Sequence, residues 1–131
     1  MSAAIPAERR CPCGTGLSYG ECCGKYHGGT PAPTAETLMR SRFTAFVTED
    51  VGYLLRTWDP ATRPAELTLA DMPVRFYRLD ILDTVAGGPL DQTGVVEFEA
   101  FYKGDVSGSQ RERSTFRRVD GAWVYSEGDV S

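Results

Sequence analysis

The stretch Arg111–Tyr125, with the sequence RERSTFRRVDGAWVY, contains two strand-like runs on either side of the dipeptide Asp120-Gly121. An Asp-Gly pair in this position is typical of a two-residue β-hairpin turn, because both central positions of that turn take a positive φ. The stretch therefore predicts an antiparallel pair of strands, Arg111–Val119 and Ala122–Tyr125.

Two further strands are predicted before this hairpin. The first is Val74–Asp83, and after a turn-like segment at 87–92 the second is Gly94–Lys103. Alternation along the second strand puts Glu97 and Glu99 on the face opposite its apolar residues, so we expect both carboxylates to face solvent. The side chains expected on the inner faces are Tyr77, Leu79 and Ile81 in the first strand and Val96, Phe98, Ala100 and Tyr102 in the second.

Two amphipathic helices are predicted ahead of the strands. Thr34 is the expected N-cap of the first helix, and the second is expected to begin near Thr48, with Glu49 and Asp50 in its first turn, and to end before Pro60. Each helix has one apolar stripe, so both are expected to cover a sheet rather than to be buried all round. The stripes are Ala35, Leu38, Met39, Phe43, Phe46 and Val47, then Val51, Leu54, Leu55 and Trp58. Helices followed by an antiparallel meander predict an α+β fold.

All four cysteines and the single histidine lie within Cys11–His27, in the sequence CPCGTGLSYGECCGKYH. Disulfides between neighbours in this segment would strain the bond geometry, and no secretion signal is recognisable. Two short pairs of soft ligands joined by a glycine-rich loop suit a tetrahedral metal ion. We therefore predict a closed, structural zinc site with the ligands Cys11, Cys13, Cys22 and Cys23. Crossed disulfides, free thiols, iron in the same cage and ligation by His27 are the alternatives, with His27 expected at the surface or beside the site.

The Cys-x-Cys-x8-Cys-Cys spacing, with its Gly-x-Gly and Tyr19 context, resembles the SEC-C motif, the zinc knuckle at the tail of the SecA translocation motor. The body resembles the YchJ family of bacterial proteins, whose body is similar to the NTF2-like domain. This resemblance implies a knuckle and linker at residues 1–30 and an NTF2-like domain at 31–131. It also implies a curved antiparallel sheet wrapped around the helices, with a cone-shaped cavity. The runs that carry it are LMRSRFTAF, YLLRTW, ERSTF and GAWVYSEGD.

The knuckle is the expected site of function, because a metal-fixed loop exposes a rigid patch. The resemblance to the SecA tail implies protein partners of the export-chaperone or ribosome type. The residues expected in the patch are Leu17, Tyr19, Lys25 and Tyr26. The net charge of -4 argues against a broad nucleic-acid surface. No apolar stretch approaches the length of a membrane span, so a cytoplasmic location is expected.

No nucleophile elbow, phosphate loop or second metal pattern is present, so a non-enzymatic protein-interaction module is the favoured interpretation. The alternative is a small-molecule binder, or a lyase or isomerase, that uses the cone cavity. An isomerase of this kind would need a carboxylate base beside a hydrogen-bond donor. The candidates are Asp80, Glu97, Glu99 and Glu112 for the base and Tyr77, Tyr102 and Tyr125 for the donor.

The body also contains two groups of polar residues and two tryptophans whose surroundings can be predicted. Arg40 and Arg42 on the first helix are expected to meet Glu112 and Arg113 on the sheet in a buried Arg–Glu pair, with an anion-binding arginine in the cavity as the alternative. The tryptophans, Trp58 and Trp123, are expected in the core.

Overall fold

The computed structural model describes residues 5–69 and 74–130 of the 131-residue chain. Helices precede strands throughout this part of the chain, which confirms the predicted α+β fold. The elements are a short 3-10 turn Tyr19–Glu21, the helices α1 Cys23–His27, α2 Ala35–Val47 and α3 Val51–Arg56, and the strands β1 Val74–Ala86, β2 Thr93–Gly104, β3 Gly108–Val119 and β4 Ala122–Val130. No helix in the described ranges is long and apolar enough to cross a membrane.

The four strands form one antiparallel meander in the order β1-β2-β3-β4. The predicted hairpin is present between β3 and β4, where Val119 pairs with Ala122. Asp120 and Gly121 both have positive φ, at 51° and 82°, as the two-residue turn requires. Both strands are longer than predicted, since β3 begins at Gly108 and β4 continues to Val130.

Strand β1 departs from the predicted alternation because its pairing with β2 shifts between Phe76 and Arg78. A bulge of this kind moves the following residues to the other face. Phe76 therefore packs against the core beside the buried Leu79, whereas Tyr77 is 49% exposed. The expectation that Tyr77 shares the inner face with Leu79 is wrong. A second shift lies between Ile81 and Asp83, and Ile81 still packs against the core as predicted.

Strand β2 follows its predicted alternation. Its inward residues Val96, Phe98 and Ala100 are buried. On the outer face, Glu97 pairs with Arg111 at 2.6 Å and with Arg113 at 2.9 Å, which makes a charged ladder across β2 and β3. The outward orientation of Glu97 is therefore as predicted, and a base for cavity chemistry has to come from elsewhere.

Helices α2 and α3 each begin directly after a residue whose side chain caps the helix N-terminus. Thr34 caps α2, as predicted, by accepting a hydrogen bond from the Thr37 amide at 3.1 Å. Helix α3 starts later than expected, because Glu49 has a positive φ of 56° that interrupts the helix, and Asp50 is the N-cap. The helix ends at Arg56, so Trp58 lies beyond it instead of completing its stripe.

Helix α2 is buried on more than one side, contrary to the single-stripe expectation. Eight of its 13 residues are buried, including the polar residues Ser41, Arg42 and Thr44. The sheet covers one side of α2, and the cysteine segment covers another through contacts to Ser41 and Thr44. Helix α2 is thus the central element of the fold.

One hydrophobic cluster joins the cysteine segment to the body. Its members include all four cysteines, Leu38 and Phe43 of α2, and residues of the sheet such as Val96. A smaller cluster contains Ala45, Tyr53, Leu54 and Leu69. The division of the chain at residues 30 and 31 stays a prediction about independent folding, while the packing gives the two parts a shared core.

Candidate metal centre

The four cysteine sulfurs form a tight buried group, with every Sγ within 4.8 Å of the others. The Sγ atoms of Cys13 and Cys22 are 3.5 Å apart, and those of Cys22 and Cys23 are 4.0 Å apart. These distances exceed a disulfide bond of about 2.05 Å, and all four thiols are free. Tetrahedral zinc with bonds of about 2.3 Å separates its sulfurs by about 3.8 Å, so the cluster fits such an ion.

Glycines shape the backbone around this cluster. Gly14 and Gly16 have φ of 91° and 89°, which turns the chain back after Cys13 so that the Cys11 amide donates to the Leu17 carbonyl at 2.9 Å. Gly24 lies against Tyr19, where a Cβ would come within 2.7 Å of the Tyr19 carbonyl oxygen. The glycine-rich spacing therefore brings the two cysteine pairs together.

The packed thiols do not ionise independently. The hydrogen bond to Cys11 raises the pKa of Cys13 to about 11, and the hydrogen bonds to Cys11 and Cys13 raise the pKa of Cys23 above its ordinary value. The pKa of Cys11 is lowered, chiefly because Cys13 donates a hydrogen bond to its sulfur. One negative charge is thus favoured and further charges are opposed, unless a cation binds among the sulfurs.

Helix α2 holds the cysteine segment through polar contacts that sequence reasoning missed. Arg40 donates to the Cys13 carbonyl at 2.6 Å, and Thr44 Oγ1 lies 3.7 Å from Cys11 Sγ. Arg40 and Thr44 are four residues apart and so share one helix face, which is the signal that the sequence offered.

His27 clamps the same segment to α2 and lies outside the cysteine cluster. Its Nε2 is 2.8 Å from the Ser41 carbonyl oxygen, and its Nδ1 is 2.7 Å from the Tyr19 hydroxyl. A carbonyl can only accept, so Nε2 carries a proton and donates to it, while Nδ1 is paired with the Tyr19 hydroxyl, which can both donate and accept. His27 therefore lies beside the site, in the position expected for it.

The residues predicted to form a partner surface differ in exposure. Leu17 is 50% exposed and Lys25 is also exposed. Tyr19 is half-buried, and its hydroxyl is bound to His27. Tyr26 is half-buried against the smaller core cluster, with the Lys25 ammonium 5.4 Å from its ring centroid. The accessible part of the predicted patch is therefore centred on Leu17 and Lys25.

A cavity of ≈ 300 Å³ lies between α2 and the sheet, where the resemblance implied a cone. Glu112 and Tyr125 line it, whereas the other candidate bases and donors, Asp80, Glu97, Glu99, Tyr77 and Tyr102, do not. Its wall is mostly apolar and aromatic. The lining residues are Met39, Arg42, Phe43, Phe46, Trp58, Phe76, Phe98, Ala100, Gln110, Glu112 and Tyr125.

The expected buried Arg–Glu pair is absent from the described residues. Arg40 pairs with Glu36, and Arg113 pairs with Asp83 and Glu97 on the exposed face. The pair does not form because Arg40 turns toward the cysteine segment, and because β3 presents Arg113 on the exposed face of the sheet.

Arg42 is instead held between aromatic rings. Its guanidinium lies 5.2 Å from the Trp58 ring centroid and 4.6 Å from that of Tyr125, and it donates to the Leu54 carbonyl at 2.8 Å. Burial lowers the pKa of Arg42 to about 10, while burial followed by the Glu112 charge raises the pKa of Tyr125 to about 12. Trp123 is buried as predicted, and Trp58 is half-buried at the cavity wall.

A family model and several known proteins match this chain. The family model for the YchJ middle NTF2-like domain matches residues 34–128. A UPF0225 protein of Corynebacterium glutamicum is 68% identical over 123 residues, covering 93% of this chain and 98% of that protein. A UPF0225 protein of Streptomyces coelicolor is 58% identical over 120 residues, covering 91% and 94%.

Two solved structures share the fold over almost the whole chain. The solution structure of a SEC-C motif containing protein from Rhodopseudomonas palustris has a TM-score of 0.79 and 34% identity, and covers 92% of this chain and 97% of that one. The crystal structure of a SEC-C motif containing protein from Psychrobacter arcticus has a TM-score of 0.76 and 28% identity, and covers 95% and 84%. With a family model over most of its length and relatives aligned over nearly all of it, the chain belongs to the YchJ family of SEC-C motif proteins.

Proposed function

We propose that this chain is a zinc-dependent, non-enzymatic protein-interaction module whose knuckle contacts the partner. The observation that supports it best is the pairing of four buried sulfurs, all within 4.8 Å, with an exposed loop at residues 14–17 between them. Four thiolates suit zinc, and iron in the same cage would be recognised by its visible absorption. A cytoplasmic location is part of this proposal, and cell fractionation tests it.

The loop is suited to binding because both of its ends are fixed. Cys13 before it and Cys22 after it belong to the sulfur cluster, and Arg40 holds the Cys13 backbone. A loop that is already ordered loses little conformational freedom when a partner binds. Leu17 and Lys25 offer an apolar and a cationic contact on this rigid surface. The resemblance to the SecA tail favours an export chaperone or the ribosome as the partner.

The test uses zinc-loaded protein with purified ribosomes in co-sedimentation and with a purified export chaperone in a binding titration. The double variant Leu17→Ser, Lys25→Glu should retain zinc and bind at least about tenfold more weakly, a loss of about 1.4 kcal/mol, because it removes an apolar contact and reverses a charge. Leu90→Ser is the matched control, because Leu90 is 94% exposed in the β1–β2 turn of the body. Equal binding by the double variant, or no binding by the wild type to either partner, contradicts the proposal.

A second candidate function is small-molecule binding in the cavity. The observation that favours it is a volume of ≈ 300 Å³ with an arginine and a glutamate in an otherwise apolar wall. Ligand pockets in proteins begin at about this size and have a similar composition. Uptake of toluene, followed through NMR shifts of the Phe98 and Trp58 rings, tests whether the cavity admits a ligand at all. Lyase or isomerase chemistry would also need a general base, and Glu112 is the candidate carboxylate that lines the cavity.

A further inference from the structure

Arg42 is a buried cation without a carboxylate partner in the described part of the chain. It is 3% exposed, and no Asp or Glu oxygen of the described residues lies within 4.0 Å of its guanidinium. A buried charge of this kind is costly unless it is compensated. The faces of Trp58 and Tyr125 compensate part of the charge through cation–π contacts. Glu112, on the wall of the same cavity, acts on this charge from beyond 4.0 Å, and an anion bound in the cavity would add a direct partner.

The guanidinium also has donors to spare. Its hydrogen bonds to described residues both leave from Nη1, to the Leu54 carbonyl at 2.8 Å and to the Thr57 hydroxyl at 2.8 Å. Arg42 lines the cavity, so its remaining N–H groups are available to a ligand there. A planar guanidinium can bind a carboxylate through two parallel hydrogen bonds.

Glu112 adds a negatively charged group to the cavity wall. One carboxylate oxygen accepts from the Ser114 hydroxyl at 2.6 Å, and the Gln110 amide lies 3.5 Å from the other. An ionised carboxylate only accepts hydrogen bonds, so it selects a ligand group that donates. It also repels a second carboxylate, and it thereby orients an anionic ligand with its charge toward Arg42.

Apart from these two charged residues, the cavity wall is largely aromatic. The phenylalanines that line the cavity are Phe43 and Phe46 of α2 and Phe76 and Phe98 of the sheet. The Phe76 ring lies edge to face with both helix rings, at 6.2 Å between centroids. Rings prefer such offset and edge-on arrangements with one another. A flat aromatic ligand therefore suits this wall better than a polar, strongly hydrated ligand does.

We propose that the cavity binds a small aromatic hydroxy acid. The ligand carboxylate accepts from Arg42, its ring packs against Phe43 and Phe98, and its hydroxyl donates to Glu112. This inference rests on the cavity-binding function proposed above and names the class of ligand. Arg42 is the cation among the described residues that line the cavity, so no other lining cation competes with it for the ligand carboxylate.

The experiment titrates the full-length, zinc-loaded protein with five probes: 3-hydroxybenzoate, 4-hydroxybenzoate, benzoate, phenol and toluene. Binding is followed by NMR shifts of the Phe98 and Trp58 rings. At least one hydroxybenzoate should bind about tenfold or more tightly than both benzoate and phenol, because hydrogen bonds to charged groups are the strong ones. Toluene should bind more weakly than that hydroxybenzoate.

Variants test the contributions of Arg42 and Glu112 separately. Glu112→Gln should reduce the advantage of the hydroxybenzoate over benzoate by about fivefold or more while benzoate affinity holds or rises. Glu99→Gln, on the outer face of the same sheet, is the matched control and should change nothing. Arg42→Lys should weaken both acids and leave phenol unaffected. Ala100→Leu, which fills the cavity, should abolish binding of all five probes, and it serves as the test of location should Arg42→Lys fail to fold.

The outcomes distinguish the cavity-binding function from the class of ligand. If toluene binds and both hydroxybenzoates bind no better than toluene, the cavity function stands and the ligand class is wrong. If no probe binds, the cavity function and the ligand class fail together. If Glu112→Gln behaves like wild type, the hydroxyl does not meet Glu112 and the proposed orientation is wrong.

Discussion

Arg40 of helix α2 donates from Nη1 to the carbonyl oxygen of Cys13 at 2.6 Å. The same guanidinium is held from its other side by Glu36, one helical turn earlier, at 3.0 Å. Helix α2 therefore positions the backbone of a cysteine in the proposed zinc site through a charged, oriented donor. Contacts of this type hold metal ligands in place and affect how tightly the metal binds.

Replacing Arg40 by Met should weaken zinc binding about tenfold, the lower end of what is lost when a supporting contact behind a metal ligand is removed. The fold should persist, because the cysteines themselves are unchanged. Competition with a coloured zinc chelator measures the affinity. Arg75→Met, an exposed arginine of β1, is the control and should bind zinc like wild type. An Arg40→Met protein with wild-type affinity would show that this hydrogen bond does not support the site.

Zinc removal should open the knuckle first and leave the sheet folded. The sulfurs belong to the same core as Leu38, so losing the metal should also lower the melting temperature, by about 10–20 °C for a tightly bound ion. Hydrogen exchange after chelation should show fast exchange for amides of residues 9–28 and continued protection across β2 and β3. Purified protein should carry about one zinc per chain before chelation.

The Cys13→Ser variant is the control for zinc removal, since it should reproduce the chelated exchange pattern without a chelator present. Loss of protection in the sheet together with the knuckle would mean that the two parts fold as one unit, and that the boundary at residues 30 and 31 is not a folding boundary.

Gly94 and Gly87 approach each other too closely for a side chain. A Cβ on Gly94 would lie 2.5 Å from the Gly87 Cα and 3.2 Å from the Ala35 Cβ. Gly94→Ala should therefore destabilise the protein by about 2–3 kcal/mol, as overpacking does, measured by urea unfolding. Gly52→Ala is the matched control at an exposed position of helix α3, where a Cβ meets Asp50 Oδ1 at 3.7 Å. It should stabilise by about 0.5–1 kcal/mol through helix propensity, and equal effects of the two changes would refute the packing argument.

Local patterns predicted the parts of this protein that depend on neighbours in the chain. The cysteine spacing identified the set that clusters, and Asp120-Gly121 identified the hairpin. The alternation of β2 also held, since no bulge interrupts its pairing with β3. In each case the structural outcome depends on a few consecutive residues whose conformations are strongly restricted.

The surroundings of Arg42 could not be predicted in this way. Its spacing on α2 showed a polar residue within an apolar helix, and a carboxylate partner was the ordinary expectation. The observed partners, Trp58 and Tyr125, are 16 and 83 residues further along the chain and meet Arg42 through tertiary packing. The exposure of Tyr77 escaped prediction for a related reason, because the bulge depends on pairing with a strand more than 20 residues later.

Asp59 and Arg117 form the ion pair that joins the segment after α3 to strand β3. Asp59 is 3% exposed and accepts from Arg117 Nη2 at 2.7 Å, from the Ser126 hydroxyl at 2.8 Å and from the Ala61 amide at 2.9 Å. The hydrogen bonds from Arg117 are the main reason why the pKa of the Asp59 carboxyl lies well below its usual range. The folded state therefore favours the ionised carboxylate more than the unfolded state does.

This shift predicts how stability depends on pH. Because the folded pKa is depressed, the contribution of Asp59 is fully present above the unfolded value of about 4 and is lost as the pH falls below it toward the folded pKa. Wild type should therefore be more stable than Asp59→Asn by a constant margin between about pH 5 and pH 8, and the margin should shrink between about pH 4 and pH 3. Urea midpoints of the two proteins measure it, and loss of zinc at low pH affects both equally. Asp105→Asn, in the β2–β3 turn, should show no such margin at any pH. A margin for Asp59→Asn that stays constant down to about pH 3 would mean that the ion pair with Arg117 does not favour the carboxylate in the folded protein.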